Sequence, residues 1–366
     1  MLPQLNNYIL ENWKNLFPYL NKAQKINYIG ISGSVEGATT TFLAFSDKDK
    51  KPIFVVRVLR NPNKTELIIN ERDALLFLSS LGAFIKESVP KLIICEKFAR
   101  TWVLVESVLE GKPMKVIIGS AGIPEPKNTN TNMRLIIDWL IKFNNETKSN
   151  LILTSAMFDQ YILRKIEEFQ KIFLISKDER EHLSQLINIF ESTLPHGIPL
   201  FFRHGDFCKH NILIHEYRSQ CKLRVIDWVF SQRYSLPFYD ILLFVTTYFL
   251  QFRRQSGISG YYKNFRDTFF DKNSYSEIML SGLKEYFHEV NIDLALAQSF
   301  FSLFLLERAL SEYHDLSSLS HRGFIPGYGI YLNSNKNAKY HDALKNQMWI
   351  HFFHIFVKEQ KYFIIK

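Results

Sequence analysis

The sequence predicts an α+β protein of two unequal parts: a small antiparallel β-sheet with one helix, then a larger, mainly helical part. Three observations carry this. The first third holds five short β-prone runs around a single helical pattern. Past a loop rich in Gly, Pro, Asn and Thr at residues 119–132, the apolar period becomes that of helices. The 366 residues suffice for two domains at roughly 100–200 residues each.

Residues 28–32 and 39–45 are β-prone and flank the small, flexible stretch SGSVEGA at 32–38, so they read as a hairpin around a glycine-bearing turn. Residues 47–51 are charged and turn-like. Residues 53–59 (IFVVRVL) form a strand, β-branched and bounded by Pro52 and by Asn61-Pro62. Residues 65–81 form a helix. Leu67, Glu71, Ala74, Leu75, Leu78 and Leu81 follow the 3.6 period, and Gly82 stands at the stop. Strands over 91–95 and 101–105 follow, around a turn at 97–100. Helices are expected over 133–143, over 158–173, and from a capping box at Ser176-Lys177-Asp178-Glu179. Residues 200–226 read as strand and loop, and the chain is helical again from Ile241.

Hydrophobic residues make up 46% and charged residues 22%, which excludes general disorder. The 45 basic and 36 acidic residues leave +9, compatible with anionic ligands. No Lys/Arg block of five occurs, so nucleic acid is not indicated. Cys95, Cys208 and Cys221 form no C-x-x-C pair, so neither a disulfide framework nor a cysteine zinc site is expected, and a reducing, cytoplasmic compartment fits. The N-terminus lacks the pattern of a signal peptide. The uncharged apolar stretches at 294–306 and 241–252 have 13 and 12 residues. Both fall short of the roughly 18–20 needed for a transmembrane segment, so they read as buried helices. No obligate protein partner is indicated.

The chemistry concentrates in Phe202-Arg203-His204-Gly205-Asp206-Phe207-Cys208-Lys209-His210-Asn211-Ile212-Leu213 and in Val225-Ile226-Asp227-Trp228. Each acid or amide stands in a loop beside a β-prone run. Asp227 ends a second apolar strand. Taken singly, Asp206 reads as a turn residue and Asn211 as a loop residue. His204 reads as a packed, hydrogen-bonded loop histidine rather than a catalyst. Taken together and in order, they form a specific pattern.

This pattern resembles the aminoglycoside phosphotransferase and choline kinase family, a branch of the protein-kinase-like fold. That family has His-Gly-Asp, four residues, Asn and an apolar strand, then Ile-Asp-Trp and a later Pro-x-x-Asp, here Pro237-Phe238-Tyr239-Asp240. The resemblance implies ATP and Mg2+ as cofactors. Asp206 would orient an acceptor hydroxyl or amine and take its proton. Asn211 and Asp227 would be the metal ligands, since magnesium is hard and prefers oxygen donors.

The resemblance also implies a basic residue on the third strand, paired with a Glu on the helix. Arg57 and Glu71 stand there, with Arg in place of the protein-kinase Lys. Glu71 lies on the apolar stripe, and a buried Glu wants a partner. The glycine loop departs furthest from a full motif. It offers Gly33 and Gly37, with Ser34 between them as a phosphate-side residue. Glu106, Ser107 and Val108 match the hinge that would meet the adenine edge. These matches divide the chain into a nucleotide-binding lobe at 1–108 and a catalytic, acceptor-binding helical lobe at 109–366.

The acceptor implied is a small molecule. Residues 231–366 carry 15 Lys/Arg and 12 Asp/Glu, which gives no acidic basin for a polycation. A sugar, an amino alcohol or an aminoglycoside-like metabolite is the wider class. Candidate acceptor-side residues are Glu307, Arg308, Glu312, Tyr313, His314 and Asp315. The alternative reading is a nucleotide-binding, pseudokinase-like scaffold without turnover.

Overall fold

The computed structural model describes residues 1–32, 39–118, 125–217, 220–250, 258–318, 324–325, 330–331 and 345–365. They form two compact units, one of Met1–Pro113, His204–Asp206 and Asn211–Gln232, the other of Met114–Arg203, Phe207–His210 and Arg233–Lys366.

The first unit opens with helices α1 (Leu2–Glu11) and α2 (Trp13–Leu16). Strands β1 (Ile26–Ser32), β2 (Thr39–Ser46), β3 (Phe54–Leu59), β4 (Leu92–Phe98) and β5 (Thr101–Ser107) form one antiparallel sheet in the order β1-β2-β3-β5-β4. Between β3 and β4 lie α3 (Thr65–Ser79) and α4 (Ala83–Ser88). The sheet and helix therefore follow the order that the sequence predicts.

Strand alternation sorts the side chains onto two faces. Phe54, Val56, Val58, Val103 and Val105 pack with Leu5, Ile9, Trp13 and Phe17 in one buried cluster. The N-terminal helices, which the sequence reading leaves without a role, thus cover one face of the sheet. Phe17 stacks on Phe54 with centroids 5.3 Å apart. The other face carries Arg57, Leu104 and Glu106, and α3 packs against β4 and β5. A short sheet completes the unit: β6 (Lys112–Pro113), β8 (Ile212–Tyr217) and β9 (Gln220–Val225), the last two an antiparallel hairpin.

The second unit is mainly helical. Its helices include α5 (Met114–Ile118), α6 (Pro126–Thr147), α7 (Ser155–Phe158), α8 (Arg164–Ile172), α9 (Lys177–Thr193), α10 (Tyr239–Phe249), α11 (Ile258–Phe269), α12 (Ser274–Glu289), α13 (Ala297–Ser318) and α14 (Met348–Glu359). Strand β7 (Phe201–Arg203) precedes the His204 motif. The capping box at Ser176 and Glu179 opens α9 as expected.

Helix α6 corrects the expected loop over 119–132. The helix already begins at Pro126, whose fixed φ suits a first turn. Tertiary contact overrides the polar composition: Thr129 is fully buried, and the Asn132 side chain donates to the Tyr248 hydroxyl at 3.1 Å. Residues 119–124 lie outside the described ones.

The aromatic C-terminal stretch packs inside the second unit. Trp349, Phe352 and Phe353 of α14 meet Phe304, Phe265 and Phe169 with centroids 5.7, 4.2 and 4.9 Å apart. Each such buried ring contributes roughly 1.5–3 kcal/mol. Among the described residues, one helical stretch, Leu294–Asp315, is long and apolar enough to cross a bilayer. Of its most apolar window, 61% is buried within the protein, as in a core helix.

On α13 the half-buried Glu312 has its carboxyl pushed up to about 7. Burial is the main cause; Arg308 pulls it down and Asp315 pushes it up. The ordinary value is 4.5. Between the two values the folded chain keeps a proton that the unfolded chain releases. The stability contributed is therefore fully present below the lower value and falls as pH rises through the upper one. Glu312→Gln should flatten that slope in urea unfolding at about pH 5 and about pH 8. An unchanged slope in the variant would contradict the assignment.

Candidate active site

The site lies within the first unit and begins with Arg57 on the middle strand β3. Arg57 stands opposite Leu104, and Val55 stands opposite Glu106. Glu106 is therefore a diagonal neighbour of Arg57 on the same sheet face. On α3 the buried positions are Ile68, Glu71, Ala74, Leu75 and Leu78. The apolar stripe thus carries one carboxylate to that same face.

One guanidinium meets three carboxylates. Arg57 Nε donates to Glu106 Oε1 at 3.2 Å and lies 3.3 Å from Glu71 Oε1, while its Nη1 donates to Asp227 Oδ1 at 3.0 Å. Arg57, Glu71 and Glu106 are buried; the Asp227 side chain is 37% exposed. Burial pushes both glutamates above the ordinary carboxylate range, although Arg57 pulls them down. Burial pulls Arg57 itself down, but Glu71, Asp227 and Glu106 outweigh it and hold its pKa above the usual value. Glu71 Oε2 and Glu106 Oε2 are buried without a hydrogen-bond partner. Such oxygens are costly as anions, so the cluster favours retaining a proton.

The loops carrying Asp206 and Asp227 are tied together. His204 Nδ1 accepts from the Asp206 backbone N–H at 3.1 Å, so its Nε2 carries the hydrogen that reaches Ile226 O at 3.0 Å. Its ring lies edge-on to Trp228, centroids 4.5 Å apart. His204 is thus the packed, hydrogen-bonded loop histidine that the sequence suggests. Gly205 has φ +86°, and a Cβ there would overlap the Phe230 carbonyl oxygen and lie 2.9 Å from its carbon. Only glycine fits this turn. Asp227 itself has φ +70°, a conformation costing of order 1–3 kcal/mol for a non-glycine residue.

Asn211 Nδ2 donates to Asp206 Oδ2 at 2.8 Å and to Asp206 O at 3.0 Å, and Asn211 O accepts from Ile226 N at 3.0 Å. With the amide nitrogen committed to Asp206, the acceptor oxygen is the remaining polar side-chain atom. Asn211 and Asp227 thus present oxygen donors, the kind magnesium takes. Among the described residues no three His, Cys, Asp or Glu side chains group as a protein-only metal cage. Asn211 and Asp227 would hold such an ion only together with oxygen donors from outside the chain.

At the expected hinge, the Glu106 side chain turns inward to Arg57. Ser107 bonds both ways with Lys91: its N–H donates to Lys91 O at 2.9 Å, and its hydroxyl accepts from Lys91 N at 2.9 Å. Val108 follows the end of β5, half-buried. Ser34 and the rest of the glycine loop lie outside the described residues.

Sequence reasoning missed the Glu106 carboxylate as a partner of Arg57. The signal was present: on β5, Trp102, Leu104 and Glu106 alternate onto one face, which puts an acid at an interior position. It also missed Asn70, whose Nδ2 donates to Val229 O at 2.7 Å and Ser231 O at 2.9 Å. No pattern in the sequence marks that residue.

The acceptor-side candidates occupy the second unit and have partners there. Glu307 bridges Lys165 and Arg203. Arg308 reaches the Tyr239 hydroxyl at 3.3 Å, Tyr313 packs edge-on to Phe173, and His314 Nε2 lies 2.8 Å from Glu168. Arg203 also lies over the Tyr239 ring, 3.1 Å from its centroid.

A search of curated proteins finds no match. Among solved structures, the chain is similar to a GDP complex of a mutant aminoglycoside 2′-phosphotransferase of type IIIa. They share 13% identity, with 97% of each chain covered and a TM-score of 0.46. A putative fructosamine-3-kinase from Haemophilus somnus shares 11% identity over 96% of this chain and 97% of that one, TM-score 0.45. A choline/ethanolamine kinase family protein from Mesorhizobium loti shares 10% identity over 96% and 98%, TM-score 0.39. The family model described as "Phosphotransferase enzyme family" matches residues 37–271, more than half of the chain and all of the clustered residues above. The chain therefore belongs to the phosphotransferase enzyme family.

Proposed function

We propose that this chain transfers the γ-phosphate of ATP to a hydroxyl, or an amine, of a small molecule such as a sugar, an amino alcohol or an aminoglycoside-like metabolite. Asp206 is the base. Asn211 and Asp227 hold magnesium. Arg57 faces the phosphates and is held by Glu71. Residues 1–108, with Ser34 and the Glu106–Val108 hinge, bind the nucleotide; residues 109–366 supply the catalytic loop and the acceptor site. Cys95, Cys208 and Cys221 form no disulfide, which fits a cytoplasmic enzyme.

The observation that carries this reading is one connected network. Residues 57, 71, 206, 211 and 227, far apart in sequence, meet through hydrogen bonds and ion pairs in a single unit. A scaffold without turnover has no need of the Asp206–Asn211 pair, so the pseudokinase alternative is not favoured.

In this reading Asp206 accepts the acceptor's proton as the new O–P or N–P bond forms, and ADP leaves. Asn211 keeps the Asp206 carboxylate oriented through its Nδ2. Magnesium, when bound, offsets charge on the phosphates. Arg57, fixed from two sides, holds Asp227 in place.

Titration calorimetry of ATP with and without magnesium tests this. In the wild type, magnesium should tighten ATP by about tenfold or more, and Asp227→Ala should lose that gain. Equal wild-type affinity with and without the metal would overturn the metal-ligand assignment.

A further inference from the structure

The segment from Ile226 to Ser231 is gripped from two sides. On one side, Arg57 Nη1 holds Asp227, Glu71 Oε1 accepts from Trp228 N at 3.2 Å, and Asn70 Nδ2 donates to Val229 O and Ser231 O. On the other, His204 Nε2 meets Ile226 O, and Gly205 rests on the backbone of Phe230. The two carbonyls that Asn70 holds flank Phe230. Its amide therefore fixes the peptides around the surface on which Gly205 sits, next to Asp206.

We propose that Asn70 is a positioning residue that sets Asp206 and Asp227 together. This inference rests on the phosphotransfer reading. The chemistry calls for an amide. The NH2 group carries two hydrogens and can serve two carbonyls at once. A carboxylate would turn lone pairs toward those carbonyls, and an alanine would leave both without a donor. Asn70 touches no reacting atom and acts through the 226–231 backbone.

The test combines hydrogen exchange with magnesium titration, on the full chain. Variants are Asn70→Ala and Asn70→Asp, with Leu76→Ala, an exposed position on the same helix, as control. In Asn70→Ala, amides in 226–231 and 203–206 should exchange about tenfold faster, while the central strands of the sheet stay as in the wild type. The magnesium concentration giving half of the metal-dependent gain in ATP affinity should rise roughly fivefold. ADP release with water as acceptor should fall, and Asn70→Asp should exceed Asn70→Ala in both respects. The control should match the wild type.

Unchanged exchange in both segments overturns the proposal, whatever the activity. So does faster exchange with an unchanged magnesium requirement and unchanged ADP release, which would reduce Asn70 to a structural clamp. A wild type that neither binds ATP with magnesium nor releases ADP overturns the phosphotransfer reading, and the positioning role with it. These results are distinguishable because the exchange readout needs no ligand.

Discussion

Asp206→Asn is expected to lower turnover by about 10²–10⁴-fold, the usual contribution of a positioned base, while ATP affinity stays within about twofold of wild type. The amide keeps the side chain's shape and an oxygen able to accept from Asn211 Nδ2, now 2.8 Å from Asp206 Oδ2. The loop should therefore hold, with the His204 bond to the Asp206 backbone untouched. Only the proton-accepting capacity is lost. Asp206→Ala is a harsher probe, because it also strips Asn211 of a partner and so disturbs the residue proposed to hold magnesium. The contrast is informative: a pure base role predicts similar losses of turnover in both variants, but weaker magnesium dependence only in Asp206→Ala. Any small-molecule acceptor that raises ADP release can serve as substrate for the assay. Turnover near wild type in Asp206→Asn would sink the base assignment.

The clarity of the site in the sequence follows from its physics. A loop that must aim a carboxylate and an amide from adjacent strand ends tolerates few spacings, so His204-Gly205-Asp206, Asn211 and Ile226-Asp227-Trp228 stand out as a set. Gly205 is part of that set because its φ and the nearby Phe230 carbonyl leave no room for a side chain. Arg57 was readable as a charge inside a β-branched run, and Glu71 as a carboxylate on an apolar stripe. Glu106 was less so: an acid near a strand end also suits an exposed position, and only the register opposite Val55 turns it inward. Asn70 was silent, since an asparagine on a helix carries no mark of what it faces. The N-terminal helices were unread because their apolar residues, Leu5, Ile9, Trp13 and Phe17, gain their meaning from the sheet face they cover. The start of α6 was missed because packing around Thr129 and Asn132 outweighed a loop-like composition.

Arg57→Met should destabilise the fold by about 3–5 kcal/mol, the usual result of removing one partner from a buried ion cluster. Methionine replaces the volume, so the loss is electrostatic. Glu71 and Glu106 would stay buried with no cation between them, each already carrying an oxygen without a partner. Their carboxyls, raised by burial and now without the downward pull of Arg57, would rise further. A carboxyl with a raised folded-state pKa contributes stability that is fully present at low pH and is lost as pH rises past its ordinary range. The deficit of Arg57→Met should therefore be smaller near pH 5 than near pH 8, as read from urea unfolding. Adding Glu71→Gln and Glu106→Gln should recover much of the loss. Neutral amides need no counter-charge, and the amide oxygen that Glu71→Gln introduces could still accept from Trp228 N. Arg57→Lys should fall between, since a point charge cannot reach Glu106 and Asp227 together as the fork does. If Arg57→Met cost the same at both pH values and the added glutamines recovered nothing, the loss would be one of packing. The three carboxylates would then not be held by the guanidinium.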